Sequence, residues 1–275
     1  MTEWVQAALL GVLQGLTEFL PISSSAHLRI YPELLGWPDP GAAFTAVAQI
    51  GTEAAVILYF ARDIGRIVRA WTLSLVNRRS SWDPLDARMG WYVIAGSLPI
   101  VAAGITFKDV IEGDARSLWL VATTLIGLGV VLGVADRVGS KKRPIEALTL
   151  PHALAVGVAQ ALALVPGVSR SGASISMGLF LGYDRAACAR FAFLLAIPAV
   201  LGAGFFEWPS ALAAGSEYSI GPLLLATAIA FLVGYAVIAW LMRWLQHGSF
   251  LPFVVYRIAL GLLVLGLLAG GVIDG

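Results

Sequence analysis

The chain has 275 residues and a formal net charge of +1; 59% of it is hydrophobic and only 13% charged, against roughly 25% charged in an ordinary soluble domain. Such a composition belongs in lipid and offers nothing to nucleic acid, since no basic tail or aromatic-basic patch is present. The lone Cys188 excludes an intramolecular disulfide and any CxxC metal or redox site. The first residues, MTEW, are acidic where a secretory signal would be basic, so the N-terminus is expected in the mature fold.

A hydrocarbon core about 30 Å thick needs roughly 20 apolar residues per helix. In chain order, the first apolar region, 4–35, is broken by PISSS at 21–25 and reads as a helix-loop-helix that enters the bilayer and returns. A full span follows near 42–62. The polar stretch 63–88 carries Ile64, Ile67, Val68, Trp71 and Leu75 at helical spacing among arginines, the pattern of an interfacial helix or of a solvated loop with an extended helix end. Spans are predicted near 89–108 and 117–136. The region 150–182 is broken by PGVSRSG at 166–172 and repeats the re-entrant pattern. Three more spans lie near 187–206, 220–242 and 252–272. The predicted fold is therefore an all-α polytopic membrane protein, with six transmembrane helices plus two re-entrant segments.

Charge asymmetry orients it. One set of connections holds Arg62, Arg66, Arg69, Arg78, Arg79, Arg88, Arg137, Lys141, Lys142, Arg143, Arg185, Arg190 and Arg243; the other holds Arg29, Lys108 and Arg116. The second set is acidic instead, with Glu3, Glu33, Asp39, Asp109, Glu112, Asp114, Glu207, Glu217 and Asp274. Lys and Arg collect on the cytoplasmic side, so both termini are expected outside, which six crossings allow.

The chain also resembles itself. GVLQGLTEFLPISSS from Gly11 pairs with GVAQALALVPGVSRS from Gly157, and GSLPIVAAG from Gly96 with GSFLPFVVYRIALG from Gly248, at offsets of 146 and 152. Repeats of about 1–110 and about 150–275 follow, with 117–136 as the linking span. One re-entrant segment and three crossings per half place the halves in inverted topology, so the two loops enter from opposite sides and their tips meet.

That meeting point would collect Glu18, Ser23, Ser24, Ser25 and His27 from the first loop, and Ser169, Arg170, Ser171 and Ser174 from the second. Hydroxyls after a proline are natural N-caps, helix starts offer N–H groups to an anion, and a guanidinium binds phosphate oxygens bidentately. Gly167 and Gly172 would let backbone approach the ligand. Membrane serines also bond to their own helix, and Glu18 with Arg170 would equally make a structural ion pair. Glu53 and Arg257, both mid-span, read as a second pair bracing the halves, with Arg257 also a candidate ligand of the anion. Gln14 and Gln160 occupy equivalent positions, placed to hydrogen-bond across the pseudo-twofold.

At these residues the chain resembles the undecaprenyl-pyrophosphate phosphatase family associated with bacitracin resistance. LQGLTEFLPISSSAHL at 13–28 is similar to its first signature and PGVSRSG at 166–172 to its second. The resemblance implies removal of the terminal phosphate from a C55 polyprenyl diphosphate in the bacterial plasma membrane, regenerating the carrier for cell-wall polymers; the arginine asymmetry places the site on the extracytoplasmic side. It implies catalytic roles for Glu18, Ser24, His27 and Arg170, with Ser23 and Ser169 close by; the residues themselves add Gln14, Ser25, Ser171, Gly167, Gly172 and Arg257 to Ser23 and Ser169 as expected substrate contacts. It also implies a divalent cation, Mg2+ or Ca2+, on Glu18. Gln14 stands where many members have Glu, and Ala26 where glycine is often seen. The nucleophile is left open between Ser24, His27 and water. A polyprenyl-phosphate flippase or secondary transporter is the rival function, and a homodimer is compatible with the sequence.

Overall fold

The computed structural model describes residues 2–76, 82–107, 117–211 and 218–274. The expected polar positions Arg78, Arg79, Lys108, Asp109, Glu112, Asp114, Arg116 and Glu217 lie outside them. The described residues form eleven α-helices and no strand: α1 Glu3–Thr17, α2 Ser24–Leu35, α3 Gly41–Tyr59, α4 Ala61–Val76, α5 Pro84–Thr106, α6 Leu118–Val138, α7 Leu150–Ala161, α8 Arg170–Phe180, α9 Arg185–Ala211, α10 Ile220–Trp244 and α11 Leu251–Ala269. Six of these, α3, α5, α6, α9, α10 and α11, are long and apolar enough to cross a membrane, in register with the six predicted spans. Apolar side chains cover their outer faces, with Ile105 77%, Phe205 69% and Leu232 66% exposed. In a soluble protein so many large apolar groups in water would be prohibitive; here they face lipid.

The two broken regions are the short pairs α1–α2 and α7–α8, and they enter from opposite ends of the bundle. At one end, Glu3 accepts hydrogen bonds from the Ser219 backbone N–H and, at 2.9 Å, from its hydroxyl, so α1 and α10 start side by side. At the other, Tyr183 just beyond α8 donates to the Ala147 carbonyl ahead of α7 (3.1 Å) and sits 2.7 Å from His152 Nδ1 on α7. The second pair thus returns to the end it came from, and so does the first, since Phe44 near the start of α3 packs on Tyr218 beside Ser219 at 4.9 Å between ring centroids. Each break lies in the interior: Phe19 and Ile22 beside the first break belong to the large core with Ile175, Phe193 and Leu195.

Small residues fix how deeply the pairs sink. Gly11 lets α1 lie against α10, where a Cβ would stand 2.5 Å from the Ala226 carbonyl oxygen; Gly157 lets α7 press against the backbone of Gly96 on α5. The first pair therefore packs on a helix near the end of the chain and the second on a helix near its beginning. Gly96 lies inside α5, however, while Gly248 lies in the connection ahead of α11. The Gly96–Gly248 match thus joins a helix interior to a loop and is not a structural equivalence.

The stretch beginning at residue 63 is helical as expected: α4 buries Ile67 and Ala70 and packs on α5, where the Trp71 side chain meets Gly90. At its start Asp63 binds Arg66 (3.1 Å) and Arg190 of α9 (2.8 Å).

Gly11→Val should lower the melting temperature of the purified protein, a loss of about 1–3 kcal/mol for overpacking a closed interface. Gly65→Ala, where a Cβ meets nothing within 4 Å, should leave it unchanged or slightly raised.

Candidate active site

Both breaks are built the same way. Helix α1 ends at Thr17, and the chain runs through Pro21 to Ser23, whose φ of 74° is rare for a side-chain-bearing residue. Ser23 then caps α2, its Oγ accepting from the Ala26 N–H at 3.4 Å and its carbonyl from the His27 N–H at 3.2 Å. In the second break Ser169 has φ 72° and caps α8 through Gly172 N–H (3.1 Å) and Ala173 N–H (2.9 Å). Ser23 Oγ lies 3.2 Å from Ser25 Oγ, as Ser169 Oγ lies 3.1 Å from Ser171 Oγ. Conformations of this kind cost on the order of 1–3 kcal/mol each and persist where their surroundings impose them. Their result is that Ser24 and Arg170 stand as the first residues of two helices, beside backbone N–H groups that a helix start leaves without intrahelical acceptors.

The breaks meet. Ser171 Oγ donates to the Leu20 carbonyl at 3.2 Å, and Arg170 Nη2 donates to Glu18 Oε1 at 2.5 Å. The other Glu18 oxygen, Oε2, accepts from Ser24 Oγ at 2.5 Å and from Gln14 Nε2 at 2.8 Å. One buried carboxylate therefore holds a guanidinium, a hydroxyl and an amide. Glu53 of α3 completes the group, its Oε2 lying 3.9 Å from Arg170 Nη2. Glu18, Glu53, Arg170 and Ser171 line a small cavity with Phe19, Val56, Ala192, Phe193 and Ala196. Its free volume is about 10 Å3, roughly what one water needs.

Several expected residues stand elsewhere. His27 does not touch Ser24 or Glu18 through any recorded bond: its Nδ1 lies 2.7 Å from the Ser23 carbonyl and its Nε2 2.7 Å from Tyr256 Oη. A carbonyl only accepts, so in the neutral ring Nδ1 carries the proton and Nε2 accepts from the tyrosine; both nitrogens are committed to holding the break. Arg257 is neither a partner of Glu53 nor open to a ligand. It is fully buried, and its guanidinium donates to backbone carbonyls. Gly167 (φ +89°) and Gly172 serve protein packing: a Cβ at Gly167 would collide with Thr124 and Val121, and one at Gly172 would stand 2.9 Å from Arg257 Nη1. Gln14 and Gln160 do not bond to one another; Gln14 serves Glu18, while the buried Gln160 amide has no hydrogen-bond partner among the described residues. Ser174 is buried with its hydroxyl likewise unpaired.

Two contributors escaped the sequence reading. Glu53 was expected to brace the halves, yet it faces Arg170; its mid-span charge was the available signal. Tyr256 gave none, because a tyrosine in an apolar helix looks like packing.

For the divalent cation implied by the resemblance, the residues present fit. Glu53 supplies the second carboxylate that Gln14 does not, and its Oε1 is buried without a hydrogen-bond partner among the described residues. A pair of carboxylates completed by phosphate oxygens is a usual seat for Mg2+. Among the described residues no group of three or more His, Cys, Asp or Glu that could hold a metal ion gathers here or elsewhere, so the protein offers two carboxylates at this point.

A six-span helical bundle with two broken helix pairs, whose charged tips meet in its interior, defines a class of multi-pass membrane protein with an anion-handling centre. A family model described as bacitracin resistance protein BacA matches residues 7–263. The chain is also 61% identical to an undecaprenyl-diphosphatase of a Nocardioides species (99% of each chain covered) and 57% identical to one of Renibacterium salmoninarum (98% of each). It is 54% identical to undecaprenyl-diphosphatase 2 of Streptomyces coelicolor, over 99% of this chain and 97% of that one. The chain belongs to the BacA family.

With Cys188 replaced by alanine, Leu20→Cys and Ser171→Cys should be joined by a short bifunctional thiol reagent. Fragments cleaved between residues 139 and 149 should then stay linked until reduction. Fragments that separate would place the two breaks apart.

Proposed function

We propose that this chain hydrolyses the terminal phosphoanhydride of a polyprenyl diphosphate, undecaprenyl diphosphate as in the names of its relatives, to the monophosphate and orthophosphate. The observation that carries it is the shared Glu18 carboxylate, which holds the Ser24 hydroxyl on one oxygen and the Arg170 guanidinium on the other. A nucleophile and a phosphate-binding guanidinium are thereby each one hydrogen bond from the same base.

The 10 Å3 cavity is too small for a diphosphate, so binding separates Arg170 from Glu18. The freed guanidinium takes two phosphoryl oxygens bidentately, and the N–H groups at the starts of α2 and α8 bear on the same charge. Glu18 accepts the proton as Ser24 Oγ attacks the terminal phosphorus. The bond to the bridging oxygen breaks, its electron pair leaving with the lipid monophosphate. Glu18 then passes that proton to Ser24 Oγ as a water attacks the phosphoserine: the bond from phosphorus to Ser24 Oγ breaks, its electron pair stays on Oγ, and the water's protons leave with the orthophosphate. Positioning and charge stabilisation supply most of the acceleration in such transfers. A cation held by Glu18 and Glu53 would neutralise phosphate charge at this site. His27 and Tyr256 hold Ser23, and so act through geometry. A transporter reading leaves the Ser24–Glu18 bond without a use.

The proposal extends to placement. The excess of arginine and lysine at the end carrying Arg66, Arg88 and Arg190 supports a cytoplasmic position for that end, with α1–α2 entering from outside in a bacterial plasma membrane. The matched caps at Ser23 and Ser169 support reading the chain as an inverted repeat.

With polyprenyl diphosphate in detergent, orthophosphate release should fall by about 10²–10³ in kcat for Arg170→Ala and by about 10³ or more for Ser24→Ala. His27→Gln should lose less than Ser24→Ala. Absence of release by the wild type with Mg2+ or Ca2+ present would sink the reading. Glu53→Gln should raise the Mg2+ concentration giving half-maximal rate, measured by titration after chelation.

A further inference from the structure

Arg257, on α11, spends its guanidinium on backbone alone. Nη1 donates to the Pro21 carbonyl at 2.9 Å; Nη2 donates to Gly167 and Val168 at 2.8 and 3.1 Å; Nε donates to Leu125 at 3.2 Å. Removing so large a charge from water is costly, and among the described residues no carboxylate pairs with it; carbonyl dipoles from both breaks and from α6 take that place.

The choice of carbonyls is informative. Pro21 precedes Ser23 by two positions and Ser24 by three; Gly167 precedes Ser169 by two and Arg170 by three. The two arms of one planar fork therefore hold matched points in two separate breaks, each just ahead of a serine with positive φ and of a side chain at the Glu18 carboxylate. A planar guanidinium fixes the distance and angle between its N–H groups, so it sets the spacing of whatever it joins.

We propose that Arg257 is a positioning residue that holds the two breaks in register, and thereby sets the separation between Ser24 and Arg170. The role rests on the hydrolytic reading above, but the geometry it predicts can be measured without turnover. Lysine retains the charge but presents its donors at one point, so it cannot span both breaks. Misplacement of reacting groups by about 1 Å costs on the order of 10²-fold.

The test compares wild type with Arg257→Lys and Gly172→Ala. A Cβ at residue 172 would press on Nη1 from 2.9 Å and on the Ser169 side chain from 3.2 Å; only the push on the fork reaches the first break, so exchange at 19–25 is its readout. For Arg257→Lys, kcat should fall about 10²-fold with KM within about threefold of wild type, and amide exchange should quicken in both breaks, 19–25 and 165–171, together. Gly172→Ala should shift kcat and exchange in the same sense by less, and it carries the test if the lysine variant does not fold. A kcat within threefold of wild type, a rise in KM at constant kcat, or faster exchange in one break alone would overturn the proposal. A wild type that releases no phosphate would sink the hydrolytic reading while leaving the exchange result to stand or fall separately.

Discussion

The contact between Glu18 and Arg170 joins two pieces of chain that hydrocarbon should forbid. A charged side chain in a membrane interior needs a partner, and non-helical backbone there needs its polar groups satisfied by protein. Each break answers the need of the other. Arg170 arrives from one to neutralise Glu18 in the other, Ser171 crosses to the Leu20 carbonyl, and Arg257 covers carbonyls in both. Thr124 of α6 donates to the Pro166 carbonyl at 2.7 Å and closes the second break from behind. Neither break would be tolerable alone, which is why chemistry and architecture converge on the same residues.

The six spans, the two breaks and the serine-rich tips were legible in sequence because each has a local signature: hydropathy over twenty residues, a proline, a run of hydroxyls. The association of Glu18 with Arg170 was legible by a longer route, through internal similarity and the parity of crossings. What resisted reading was direction. Glu53, Arg257 and His27 were all recognised as polar groups in apolar surroundings, but a residue number does not say which way a side chain turns. Glu53 faces Arg170 and not Arg257; His27 turns from Ser24 toward Tyr256, 229 positions away. Such choices are made by packing between distant helices, and only coordinates reveal them.

Ser24 and Arg170 occupy the same place in their respective breaks, each opening a helix immediately after a capping serine. The two sites have divided one task. The first supplies a hydroxyl and the carboxylate beside it; the second supplies positive charge. Gln160 marks what the second has given up: its counterpart Gln14 serves Glu18, whereas at the matching place, 164, stands a leucine. A buried amide without a hydrogen-bond partner among the described residues accompanies that asymmetry.

The close fit of Gly11 on Ala226 has a bearing on biogenesis. At ribosomal speeds of about 5–20 residues per second, the helix that receives α1 emerges roughly 10–40 s after α1 itself. Until Arg170 follows, 152 positions later, the first hairpin carries Glu18 into the membrane with no guanidinium to meet it, so the nascent chain must shelter an acid at the lipid boundary or in the insertion machinery. Maturation of the reaction centre is then among the last events of assembly, and a chain released before α10 would carry the signature residues of both tips without the wall that seats them.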